Sequence, residues 1–297
     1  MIVAKPYIHF IVNPAAGSGD HNITEEFIST FFPSHKIIVE YTQHKGHAHE
    51  LTNKALLGKP ECVVACGGDG TVNEVASCLL YTETALGIVP LASGNGLASH
   101  LKIPRQMDKS LQIISSGKTL KIDSGKVNDI YFFSNMGISL DALIIKKYEK
   151  SMKKGLYSYI IASFKAGLVY RPFETFINVD RLKTVTKPLL LFISNSNEMG
   201  YGISLTPRAC LTDGKLNVLI IEEISLFEKL RLGLRVLRGK IDAIDKSVAI
   251  QGKEIGIEAP EKIFMDAQVD GEYYYLRTNK VFVKVLPGSL AVRIGGE

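Results

Sequence analysis

Long apolar runs are missing from this sequence: no stretch approaches the ~20 residues that a membrane-spanning helix needs. The first residues also lack the basic-then-apolar pattern of a secretory signal. The expectation is therefore a cytoplasmic protein that is not integral to a membrane. Cysteine is scarce, with four among 297 residues, and Cys62, Cys66, Cys78 and Cys210 show no disulfide-like pattern. Cys62 and Cys66 have no histidine or second cysteine pair nearby, which favours buried, reduced thiols over a metal site. Internal repeats and low-complexity tracts are absent. Excess charge is small: a net +5 and a pI of about 8.8 are too little to argue for nucleic acid as a partner.

What is present is the composition of a soluble globular protein, 46% hydrophobic and 22% charged, long enough for one large domain or two ordinary ones. Through residue 122 the pattern is strand, loop, helix, repeated four times. Residues 7–12, 36–41, 61–66 and 85–90 read as strands, and 23–31, 47–57, 71–80 and the segments near 97–101 and 108–115 as helices. That order predicts a doubly wound α/β domain with a mostly parallel sheet, its loops gathered on the carboxyl edge where ligands bind. From about residue 123 to 287, short alternating strands and the turn pairs Asn128-Asp129, Asp213-Gly214 and Asp270-Gly271 predict a mostly antiparallel β-sandwich. Helices near 144–170 and 226–240 interrupt it. The closing residues 288–297 are free to complete the first domain or to pair with the second.

The most informative residues are Gly67-Gly68-Asp69-Gly70-Thr71. A buried strand, Cys62–Cys66, feeds a three-glycine turn and then a helix. Without Cβ atoms the backbone can approach a phosphate closely, and the first helical N–H groups have no partner within the helix. Asp69 is odd for simple anion binding and makes sense where a magnesium ion or a hydroxyl is also handled. Two further glycine loops follow other strands: Asn13-Pro14-Ala15-Ala16-Gly17-Ser18-Gly19 and Ser93-Gly94-Asn95-Gly96. Three such loops on one sheet edge suit a triphosphate, whose anionic groups several backbone donors can share. Thr42 lies on the same edge. Each polar residue here also fits an Asx-turn or a helix cap, Thr71 above all.

This combination resembles the diacylglycerol and sphingosine lipid kinase family, most closely its soluble bacterial members, over nearly the whole chain. Asn13-Pro14 with Gly17 and Gly19, Gly67–Thr71 with Asn73-Glu74, Ser93-Gly94-Asn95 and the late Asp270-Gly271-Glu272 fall in the family's order. The glycine turn alone is shared with NAD kinases and resembles one in phosphofructokinases, so the late Val269–Glu272 run and the Ser-Gly-Asn loop carry the specificity. The resemblance implies a first domain that holds ATP and a β domain that shapes an acceptor pocket in the cleft between them. It implies nucleotide-binding roles for Asn13, Pro14, Gly17, Gly19, Thr42, Gly67 to Thr71, Asn73, Glu74, Ser93, Gly94 and Asn95. Asp69 matches the acid implicated in catalysis or in holding magnesium. The proton acceptor would come from the late acid pair, Glu272 first and Asp270 second. A structural magnesium site would use the Asp213 carboxylate with the backbone carbonyls of Cys210 and Lys215; Asp213-Gly214 also reads as an ordinary hairpin turn.

The run Asn95-Gly96-Leu97-Ala98-Ser99 departs from the Asp-Phe-Ala-Arg of bacterial diacylglycerol kinases and is similar to the Asn-Ala-Leu-Ala of sphingosine kinases. Gly137–Asp141 resembles the stretch whose aspartate contacts the sphingoid amino-alcohol, which makes Asp141 a candidate for substrate binding. The function expected is ATP-dependent phosphorylation of a lipid hydroxyl. An NAD kinase-like transferase and a catalytically inactive lipid-binding protein are the alternatives. Residues 155–170 are apolar enough to cover a lipid pocket and equally fit a buried core helix. Arg231, Arg235 and Arg238, with Leu226, Phe227, Leu230, Leu234 and Leu237, and the lysines 146, 147, 150, 153 and 154 fit either solvated faces or surfaces resting on an anionic membrane. An exposed β-edge would support a homodimer.

Overall fold

The computed structural model describes residues 5–17, 23–92, 94–151, 155–200, 202–237 and 246–296. Gly19, Ser93, Lys153, Lys154 and Arg238 lie outside the described residues. The chain divides into two compact units, Met1–Ile122 with Gly288–Glu297, and Asp123–Pro287.

In the first unit, β1 (Tyr7–Val12), α1 (Glu25–Ser29), β2 (Lys36–Tyr41), α2 (His47–Leu56), β3 (Cys62–Gly67), α3 (Asp69–Leu79) and β4 (Ala85–Pro90) alternate. α4 (Gly96–His100) and α5 (Met107–Ser115) follow. The strands run in the order β2-β1-β3-β4 and all pair in parallel. Every residue of β3 and of β4 is buried, as a parallel sheet covered on both faces requires. Phe10, Val12, Val64 and Cys66 pack with Ile28, Phe32, Leu111 and Ile114 to form the core. Burial pushes the Cys62 thiol up to about 12 and the Cys66 thiol higher still, so both are inert apolar filler. Strand order reverses between β1 and β3, the switch point at which sheets of this class bind ligands. The loops holding Asn13 and Asp69 follow these two strands.

β5 (Thr119–Val127) carries the chain into the second unit. There β6 (Ile130–Phe132), β7 (Asn135–Gly137), α6 (Leu140–Glu149), α7 (Leu156–Val169), β8 (Thr175–Val179), β9 (Leu182–Thr186), β10 (Pro188–Ser194) and β11 (Leu216–Glu222) follow in order. Then come α8 (Leu226–Leu237), β12 (Ser247–Gly252), β13 (Glu254–Glu258), β14 (Met265–Val269), β15 (Glu272–Leu276) and β16 (Lys280–Arg293). One antiparallel sheet runs β12-β11-β10-β7-β14-β15, and the other joins β16, β13, β8 and β9. Leu191, Ile193, Val218 and Ile220 of the first share a core with Ile177, Val179, Ile255, Ile257, Val281 and Val283 of the second. This is a sandwich. Asp270 and Gly271, at φ 46° and 80°, make the tight turn that joins β14 to β15.

Several boundaries differ from the sequence expectation. The helix expected over 144–170 is two helices, broken before Gly155, whose φ of 128° no helix tolerates. α3 begins at Asp69 rather than Thr71. Asp213-Gly214 is not a hairpin turn but lies in the long connection between the paired strands β10 and β11. The chain's end joins the first unit: Val292 of β16 pairs with Leu86, and Arg293 is buried against Glu61. Among the described residues, no helix is long and apolar enough to cross a membrane.

Candidate functional site

In the first unit, the Gly67–Thr71 motif ties the rim together. Gly67 is fixed by its neighbour, since a Cβ there would fall 2.5 Å from Thr71 Oγ1. Buried Thr71 receives the Asn13 Nδ2–H at 3.2 Å, and Asn13 Oδ1 accepts the Ala15 N–H. These bonds lock the loop after β1. Asp69 reaches the other way: its Oδ2 accepts the Asn95 N–H and its Oδ1 the Gly96 N–H, both at 2.8 Å. Asp69 therefore caps the start of α4, with Asn95 held at φ 62°. Glu74, one turn on, accepts the Gly46 N–H at 2.8 Å and the Ala48 N–H at 3.1 Å and so caps α2. Thr42 follows β2 and donates its own N–H to Val12 O.

Three side chains of one helix thus hold the loops after β1, β2 and β4, which brings Asn13, Thr42, Gly67, Gly68, Asp69, Gly70, Thr71, Glu74, Gly94 and Asn95 onto one edge. Pro14 and Gly17 are exposed on the β1 loop, while Asn73 faces Ser77 on α3. Glu74 spends a hydrogen bond from each oxygen on a helix start. Its placement is that of a brace for the loop after β2.

In the second unit, the two late acids occupy different environments. Asp270 is 6% exposed, and its carboxylate accepts the N–H groups of Phe133, Ser134 and Asn135 at 2.8–3.0 Å. It organises the β6–β7 segment. Glu272, at the start of β15, is only half-buried. Glu272 is the less buried of the pair.

Asp141 lies in the first turn of α6 and is buried. Burial pushes its carboxyl up to about 6, against the hydrogen bonds from Ser139 and Gln268 that favour the anion. It sits against bare backbone, because a Cβ on Gly137 would fall 1.6 Å from its Oδ2. Asp141 forms part of the wall of a cavity of about 470 Å³, which is otherwise almost wholly aliphatic and aromatic: Ile144, Phe164, Leu189, Met199, Leu205 and Leu232 are among its lining. The volume is that of a small-molecule site.

α6 also braces the β14–β15 hairpin. Its Lys146 pairs with Asp266 at 3.0 Å and lies over the Tyr273 ring, and its Glu149 accepts the Tyr273 N–H. Lys146 is therefore a structural partner rather than part of a solvated basic face. Gln268, absent from any sequence expectation, joins the two features. Its Nε2 donates to Asn135 Oδ1 at 2.9 Å and to Asp141 Oδ2 at 3.4 Å, and its Oε1 accepts the Gly271 N–H. An isolated glutamine in an alternating strand carries no sequence signal of such a role.

Asp213 is exposed. Its Oδ1 accepts the Lys215 N–H and its Oδ2 the Gln251 amide, and Cys210 Sγ lies 3.4 Å from Thr212 Oγ1. Among the described residues, Asp213 belongs to no cluster of three metal-type side chains. Among the described residues the one such trio is His44, His47 and Glu50, where His47 Nδ1 is already used by the Gln43 N–H.

Comparison with known proteins finds two family domains in succession. Residues 7–127 match the diacylglycerol kinase catalytic domain, and residues 136–294 the YegS C-terminal NAD kinase beta sandwich-like domain. The chain is 30% identical over 266 residues to the "Probable lipid kinase YegS" of Salmonella arizonae, covering 87% of this chain and 86% of that protein. The protein of the same name from Salmonella newport matches to the same extent. The fold is shared with a crystal structure described as a diacylglycerol kinase from Bacillus anthracis str. Sterne, with a TM-score of 0.75 and 20% identity over 97% of both chains.

Proposed function

Because this chain belongs to the YegS-like lipid kinase family, with its diacylglycerol kinase catalytic domain, we propose that it transfers the γ-phosphate of ATP to the hydroxyl of a long-chain lipid held in the second unit. The observation that carries the choice of a lipid is the apolar cavity of about 470 Å³ with one carboxylate, Asp141, in its wall. A soluble dinucleotide acceptor gives no reason for such a cavity, which counts against the NAD kinase-like alternative.

Phosphoryl transfer needs positioning and charge neutralisation more than covalent chemistry from the protein. The backbone of the Gly67–Thr71 turn, with the loops of Asn13 and Asn95 locked to it, supports a triphosphate through N–H groups. Asp69 is the rim carboxylate fit to hold magnesium: it supplies a hard oxygen ligand on the edge, fixed there by the N–H groups of Asn95 and Gly96. When bound, the ion would neutralise charge on the transferring group. Glu272 accepts the proton of the acceptor hydroxyl as its oxygen bonds to the γ-phosphorus and ADP leaves. A carboxylate is a weak base toward an alcohol, but it serves in a loose transition state, where the proton leaves late. Asp270, clamped by three amides, holds the segment before β7 and takes no proton. Asp213, with the carbonyls of Cys210 and Lys215, offers a hard-oxygen set for a structural cation.

The buried Asp141 favours, among long-chain acceptors, one with an amine beside its hydroxyl, as in a sphingoid base. Diacylglycerol is the comparison substrate. The cavity's role is orientation. Each methylene it covers is worth roughly 0.8 kcal/mol against water, but almost nothing against a bilayer interior that is equally apolar.

The test is incubation of the pure protein with γ-labelled ATP, Mg²⁺ and, separately, a sphingoid base, diacylglycerol, phosphatidylglycerol and NAD. Label in an organic-extractable product supports the proposal. Label in NAD alone, or ATP-independent lipid binding with no transfer to any lipid, refutes it.

A further inference from the structure

Two helices of the second unit leave apolar side chains in solvent. On α7, Tyr157, Ile160, Phe164 and Leu168 recur at three- and four-residue steps, and all are exposed. On α8, Phe227, Leu230 and Leu234 do the same. Five of these, Ile160, Phe164, Leu168, Leu230 and Leu234, also line the cavity. Side chains that face both solvent and cavity mark its mouth, so the mouth lies between α7 and α8. Lys229 Nζ ties the two helices together by donating to Gly167 O at 3.3 Å.

The charges that these two helices carry are almost all of one sign. α7 carries a single charged residue, Lys165. α8 carries Lys229, Arg231 and Arg235 against one acid, Glu228, and that acid is spent capping the helix start, where Ser225 N–H donates to it at 2.7 Å. A contiguous apolar surface rimmed by cations is suited to an anionic lipid surface.

We propose that the α7–α8 face docks on an anionic phospholipid bilayer with the cavity mouth against it, so that the acceptor's chain moves from bilayer to cavity without crossing water. The proposal rests on the lipid-kinase reading and names the surface that delivers its substrate. A second copy of the chain is a poorer occupant: an isologous contact on this face would set Arg231, Arg235 and Lys165 against the same cations of the partner, and like charges repel.

The full chain is sedimented with sucrose-loaded vesicles of phosphatidylglycerol and phosphatidylcholine, and with vesicles of phosphatidylcholine alone. The variants are the double substitution Tyr157→Ser with Phe227→Ser, and Arg231→Gln. None of these residues lines the cavity, and all three are exposed. Expected are binding to the anionic vesicles that weakens with salt, at least tenfold weaker partitioning of the double variant, and about fivefold weaker partitioning of Arg231→Gln. All variants should keep wild-type transfer to a short-chain, water-dispersed acceptor. Equal binding to neutral and anionic vesicles, unchanged binding of the double variant, or a wild-type dimer that the double variant dissociates would overturn the proposal. Vesicle binding with no transfer to any acceptor would refute the kinase reading while leaving the docking surface standing. Transfer to the short-chain acceptor without vesicle binding would do the reverse.

Discussion

Gln268 Nε2 lies 3.4 Å from Asp141 Oδ2, and the same side chain's Oε1 receives the Gly271 N–H between Asp270 and Glu272. The carboxylate in the cavity wall and the turn before Glu272, the proposed proton acceptor, are therefore held by one buried amide. Replacing it with Gln268→Leu leaves buried groups without this partner, at about 1–3 kcal/mol each. The expected result is a Tm several degrees lower and kcat for lipid phosphorylation reduced at least tenfold, with nucleotide affinity unchanged by calorimetry. A normal kcat would separate the two sites.

Asp141 makes stability depend on pH in a stated direction. Burial raises its carboxyl to about 6, above the unfolded value of about 4, so between these values the folded state holds the extra proton. Its favourable contribution is complete below about pH 4 and is lost as pH rises through about 6. Relative to wild type, Asp141→Asn should therefore gain stability across that window, on the order of 3 kcal/mol, and level off above it. Denaturant melts of both proteins from pH 4 to pH 8 check the sign; a difference that shrinks with rising pH contradicts it. Gly137→Ala, whose Cβ would collide with Asp141 Oδ2, and Asp141→Ala should both raise the KM for the lipid.

Asp69→Asn keeps one acceptor oxygen where two N–H groups now donate. The loop before α4 loses one of its ties, and the rim loses its negative charge. Turnover is expected to fall at least a hundredfold, while circular dichroism stays that of the folded protein and Tm drops by only a few degrees for the lost tie. Near-normal phosphorylation would remove Asp69 from the mechanism.

Glu272 and Asp270 should differ in kind. Glu272→Gln is expected to fold normally and lose most of kcat with little change in KM, as for a group acting in the transition state. Asp270→Asn disturbs three buried backbone N–H contacts and should lower Tm. A stable Asp270→Asn protein that has lost all activity, beside a fully active Glu272→Gln, would reverse the assignment.

Much of the fold was legible because the parallel strands are continuous apolar runs: Cys62–Gly67 and Ala85–Pro90 are buried throughout, and glycine loops punctuate them. The Gly67–Thr71 turn was legible as a strand-to-helix turn for the same reason. What the residues do to one another was not. Glu74 reads as a nucleotide contact and stands as a cap for α2, because a capping bond spans 26–28 positions in sequence. The choice between Asp270 and Glu272 turns on burial that alternation alone does not settle next to a turn. Gln268 and Lys229 gain their roles only from groups far along the chain, Asn135 and Asp141 for the first and the Gly167 carbonyl for the second.

Gly167 and Gly233 give the most direct test. Both line the cavity, and a Cβ at either would meet nothing within 4 Å. Leucine at these helical positions should raise helix stability by up to about 1 kcal/mol each while filling the space the lipid chain needs. The measurement is labelled-phosphate transfer to a long-chain acceptor by Gly167→Leu and Gly233→Leu proteins, beside their melting temperatures and ATP affinities. Tm equal to or above wild type, unchanged ATP binding and at least tenfold slower lipid phosphorylation are the predicted result. Wild-type phosphorylation by both stable variants would contradict the assignment of this cavity to the acceptor.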